Sequence, residues 1–210
     1  MSAALSLSLG ALLCVLAGIV IAWPFRHCLP TRYWLMGVAL DILLRLSLLY
    51  MMPPVLSSAL TLLAFTFFSR LAWFDIRTGK LPDLMTLPLL IAGLLHAVYT
   101  GYPSGPDAVL GACIGYLMLY TLDGVWRALT HQHAIGGGDM KLLAALGAWT
   151  GIESLLLLIL CACLMAIGVG QATGRHRQPS ATLPFGPFLI IAALVQLLLR
   201  YHWAPLLPAF

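Results

Sequence analysis

The sequence predicts an all-α, polytopic membrane protein with about eight transmembrane helices, one of them short and preceded by a glycine hinge. Composition is the first reason: of 210 residues, 61% are hydrophobic and only 9% charged. A water-facing domain carries about 25% charged residues, so a soluble nucleotide-binding reading of any glycine run is excluded. The second reason is the recurrence of apolar runs of bilayer-crossing length. The third is the placement of Arg and Lys, which cluster on alternate connections.

A helix needs about 20 apolar residues to cross the hydrocarbon core. Runs that meet or approach this length lie at roughly 3–23, 33–52, 55–74, 84–100, 108–127, 152–170 and 184–203, with a shorter segment at 139–150. The first run lacks the basic start and small-residue cleavage site of a signal peptide, and is expected to be a retained span. No strand pattern or second soluble domain is visible. A single membrane domain is therefore expected over 1–210, with the first span and a short loop at 1–32 and a helical bundle at 33–203.

Nine of the eleven basic residues fall on one side of this layout: Arg26, Arg32, Arg70, Arg77, Lys80, Arg127, Lys141, Arg175 and Arg177. The positive-inside rule makes that side cytoplasmic, which places both termini outside if the short segment crosses. The five cysteines form no C-x-x-C pair and mostly sit within apolar runs, so they read as small hydrophobes. No cofactor, metal or nucleic-acid partner is expected.

Seven acidic residues remain to be explained. Asp107 and Glu153 fall in outer connections. Asp41 lies four residues before Arg45, and Asp123 four before Arg127; both spacings suit an ion pair on one helix face. Asp83 follows Pro82 at a helix start, where a carboxylate caps free N–H groups. Asp75 and Asp139 differ. Both fall at the same expected membrane boundary, and neither has a cation four residues away. Two carboxylates that meet share one proton, and such a pair can activate water and protonate a leaving group. Two separate helix-capping aspartates remain the alternative. Two other readings also stay open: a proton-coupled transporter using intramembrane carboxylates, and a metal site built from His131, His133 and Asp139.

The segment "FDIRTGKLPDLMTLP" (74–88) and, about sixty residues later, "GGGDMKLLAALGAWTG" (136–151) resemble the bacterial type IV prepilin peptidases, membrane aspartic proteases of the G-x-G-D class. "LPFGPFLI" (183–190) is similar to the turn that opens that family's last span, and "PTRYWLMGVALD" (30–41) to a degraded form of an earlier segment. The resemblance implies Asp75 and Asp139 as catalytic residues, supported by Gly136, Gly138, Lys141, Pro82, Asp83, Pro184 and Gly186. It implies as substrate a prepilin or pseudopilin with an N-terminal hydrophobic helix, cut at the cytoplasmic face of the bacterial inner membrane. One departure stands out. Full-length relatives carry an insertion with two C-x-x-C pairs and methylate the product, whereas "PFRHCLPTRY" (24–33) holds only Cys28. Peptidase activity without methyl transfer is the expectation.

Overall fold

A computed structural model describes residues 56–173 and 184–203. The two earliest expected spans, with Asp41 and Arg45, lie outside these residues. Among the described residues the fold is entirely helical: α1 (Leu56–Thr78), α2 (Asp83–Thr100), α3 (Gly105–Thr130), α4 (Gly137–Thr150), α5 (Ile152–Ala172) and α6 (Gly186–Trp203). Helices α2, α3 and α5 are long and apolar enough to cross a membrane. The chain divides into two compact units, 1–73 and 74–210. Asp75 and the five later helices belong to the second.

The sequence accounts for where these helices stop and start. Gly79, at φ 62°, ends α1 in the left-handed region that costs glycine little, and its N–H donates to Asp75 C=O at 2.8 Å. Pro82 then blocks continuation and stands as the residue before α2. Ser104 opens α3: its hydroxyl accepts the Asp107 N–H at 3.3 Å and donates to Asp107 Oδ2 at 2.6 Å. Asp107 is thus a capping partner rather than a free loop charge.

Helix α4 is the centre of the second unit, packed against α2, α3, α5 and α6. Every residue from Leu142 to Thr150 is buried. In a bilayer, lipid tails are as apolar as leucine, so close packing and hydrogen bonds must hold such a helix in place. Small residues supply the packing. Gly111 of α3 and Gly147 of α4 meet backbone to backbone, and a Cβ on either would collide with the other's carbonyl oxygen. One turn on, a Cβ at Gly115 would lie 2.9 Å from Leu143 O. Across α2, the indole of Trp149 occupies the space over Gly93 and donates its N–H to Leu89 C=O at 2.9 Å. The outer faces of α3 and α5 are correspondingly apolar and exposed, with Leu110, Leu117, Leu122, Leu156, Leu160 and Leu164 facing outward.

Candidate active site

The site forms where α1 and α4 present carboxylates to one cavity. Asp75 stands in the last turn of α1, beyond the expected span 55–74, and is 5% exposed. Asp139 stands in the first turn of α4, half-buried. Both line a cavity of about 340 Å³, with Gly79, Lys80 and Leu81 on one wall and Gly136, Gly137 and Gly138 on the other.

The two carboxylates are held differently. Asp75 Oδ2 accepts the backbone N–H of Gly186 at 3.1 Å, so the first residue of α6 donates to it. A Cβ at Gly186 would stand 2.8 Å from that same oxygen. Glycine is required there for space. Asp139 receives no side-chain hydrogen bond among the described residues. Burial pushes the Asp75 carboxyl up, and the Gly186 N–H pulls it part of the way back. Burial, and secondarily the charge of Asp75, raise Asp139 to about 7.

Leu81 ties the walls together. A Cβ at Gly138 would meet Leu81 Cβ at 2.8 Å, and one at Gly186 would meet Leu81 Cδ1 at 3.4 Å. Within the glycine run it is Gly138 that works by close approach, whereas a Cβ at Gly137 would meet open space. Gly136 precedes α4 with extended backbone, Gly137 and Gly138 lie in its first turn, and none of the three has a positive φ.

Other expected site residues fall into place, with two corrections. Asp83 makes no side-chain cap on α2. Its two oxygens each accept a hydrogen bond from Lys141 Nζ at 2.7 Å, because the first turns of α2 and α4 face each other. Asp123 does not pair with Arg127. It accepts the Ala134 and Ile135 N–H groups at 2.8 and 3.0 Å and lies 2.8 Å from His133 Nδ1; the chain doubles back past α3 and offers the nearer donors. Pro184 sits half-buried two residues before Gly186, and Phe185 C=O accepts the first-turn N–H groups of α6. His131 takes the left-handed conformation that ends α3. No group of three His, Cys, Asp or Glu side chains gathers as a metal site among the described residues.

Comparison with known proteins decides the family. Residues 62–171 match the type IV leader peptidase family. The chain belongs to that family. A leader peptidase relative from Aeromonas hydrophila, named prepilin leader peptidase/N-methyltransferase, is 43% identical over 130 residues, 61% of this chain and 45% of its own. Proteins of the same name from Burkholderia pseudomallei (strain K96243) and Escherichia coli (strain K12) are each 40% identical. They cover 83% and 69% of this chain and 58% and 64% of their own. The chain spans about half the length of the first of these relatives. No solved structure matches it. Sequence reasoning passed over Gly79 and Leu81 in this candidate site. The run T-G-K-L-P-D carried the signal: a helix-ending glycine, then a proline that starts the next helix.

Proposed function

We propose that this chain is a membrane aspartic endopeptidase that removes the leader from prepilins or pseudopilins, with Asp75 and Asp139 as its acid–base pair. The observation that carries the reading is the unequal support of two carboxylates lining one cavity. A backbone N–H aimed at Asp75 favours its ionised form, while Asp139, without a donor, keeps the shared proton. Asp75 takes a proton from water as the water oxygen bonds to the scissile carbonyl carbon, and Asp139 donates its proton to the carbonyl oxygen. The proton on Asp75 then passes to the leaving nitrogen as the C–N bond breaks. The oxygen proton returns to Asp139 as the new carboxyl group forms, restoring both groups.

The substrate class follows from the relatives' names and from the position of the cavity at the helix ends. Three membrane-length helices beside it imply a scissile bond just outside the bilayer, next to a hydrophobic segment. The one-sided Arg and Lys distribution supports a cytoplasmic site in the inner membrane of a bacterium, with both termini outside. Methyl transfer is not included, since 24–33 offers one cysteine where a four-thiolate site needs four.

Co-expression with candidate prepilins tests the reading, scored as leader removal for wild type, Asp75→Ala and Asp139→Ala. Wild type should cleave and neither variant should. Near wild-type processing by either variant would sink the pair. A methylated product from purified enzyme and a methyl donor would overturn the restriction to peptidase activity.

A further inference from the structure

The proposed reaction leaves one buried carboxylate without a role. Asp123, 6% exposed on α3, is surrounded by an otherwise exposed helix end running from Val125 to Thr130. All three of its partners lie ten to twelve residues downstream: His133 Nδ1 at 2.8 Å, Ala134 N–H at 2.8 Å and Ile135 N–H at 3.0 Å. The chain leaves α3 through His131, at φ 58°, and reverses past this carboxylate. The residue after Ile135 is Gly136, which immediately precedes α4, and Asp139 follows three residues later.

The first turn of α4 is held from α2 by Lys141 on Asp83 and from Leu81 by its packing on Gly138. The turn that leads into it has no such contact among the described residues. Gly136 has no side chain, and no side chain caps the helix. Residues 131–134 are exposed. Three consecutive glycines give the unrestrained chain more conformational freedom than any other residue would. The carboxylate of Asp123 supplies the missing restraint from a neighbouring helix. Two backbone N–H groups converge on Oδ1, and Oδ2 meets the imidazole of His133, the one titratable group facing it among the described residues.

We infer that Asp123 is a positioning residue: by fixing the His133–Ile135 turn it sets where α4 begins, and so where Asp139 stands relative to Asp75. The effect on rate rests on the peptidase reading. The restraint on the turn does not. His133, whose side chain is 67% exposed, plays the lesser part, because both backbone bonds survive its loss.

The test uses the full chain in detergent with a synthetic prepilin peptide. Asp123→Ala should lower kcat about tenfold while KM stays within about twofold, since misplacement of a reacting group costs rate and leaves binding intact. It should remain folded at the assay temperature, with the modest loss of stability that unpaired N–H groups bring. Asp123→Asn should recover most of kcat, because its amide oxygen accepts the same two N–H groups. Hydrogen exchange across 131–138 should quicken in Asp123→Ala and return towards wild type in Asp123→Asn. Wild-type kcat in Asp123→Ala, an Asn variant as slow as Ala, or a loss of kcat matched by loss of folded protein would each overturn the inference. If wild type cleaves no prepilin, the peptidase reading fails. Exchange then decides the inference: unchanged exchange in Asp123→Ala overturns it, and faster exchange supports the restraint on the turn.

Discussion

The two ends of the α2–α3–α4 bundle are built by different rules. At the end distant from the cavity, every turn is closed locally. Gly101 ends α2 with its N–H on Ala97 C=O, Ser104 and Asp107 cap α3 between them, and Gly151 ends α4 with its N–H on Gly147 C=O. At the cavity end, α2 and α4 start just after Pro82 and Gly136 with no side-chain cap. The acids there reach across to other elements: Asp83 to Lys141, Asp123 to the 133–135 turn, Asp75 to Gly186. Locally satisfied acids give stable corners. Acids that look outward leave an opening, and the positions of several helices depend on one another around it.

Substitutions can break this contrast, and the largest effects belong to the cavity end. Asp75→Ala and Asp139→Ala should each lower the cleavage rate by roughly a thousandfold, measured on purified protein, with the fold intact. Gly186→Ala forces a methyl group against Asp75 Oδ2 and should cost roughly a hundredfold in kcat, since ångström-scale misplacement has that effect. Gly111→Ala should act on stability instead, by about 1–3 kcal/mol or more from overpacking a backbone contact, read as a lowered melting temperature. Ser104→Ala should cost about 1 kcal/mol of stability and leave cleavage unchanged. Any loss of kcat there exceeding its loss of folded protein would erase the distinction between the ends.

Acidity sharpens the same contrast. With Asp139 at about 7, kcat/KM should fall as pH rises through that value and the shared proton is lost. The folded state binds this proton more tightly than the unfolded chain. Its contribution to stability is therefore full at low pH and lost as pH climbs from the ordinary carboxylate range to about 7. Asp139→Asn should accordingly abolish cleavage yet melt above wild type at pH 8.

Among the described residues, helix identities and their rough limits were legible in the sequence, because apolar length and turn residues are local signals. The third expected span, 55–74, ends a turn early against Leu56–Thr78, since hydropathy fades at Arg77 while helical geometry persists to Gly79. That Asp75 and Asp139 line one cavity was foreshadowed by equal depth and missing counter-ions, and by the motif. Partners were less visible. Helical i,i+4 spacing offered Arg127 to Asp123, but backbone donors from a returning loop were closer. Spacing rules are blind to such donors. The burial of α4 on all sides was hidden too, as a short apolar segment looks the same facing lipid or protein.

The contact between Gly111 and Gly147 also makes α4 a lever. Gly147 lies eight residues after Asp139, an arm of about 12 Å at the rise of an α-helix. With that end pinned, a tilt of about 5° would swing Asp139 by about 1 Å, a displacement of the size that alters rates a hundredfold. The packing that holds Gly147 against Gly111 therefore also sets the placement of Asp139 at the other end of the same helix.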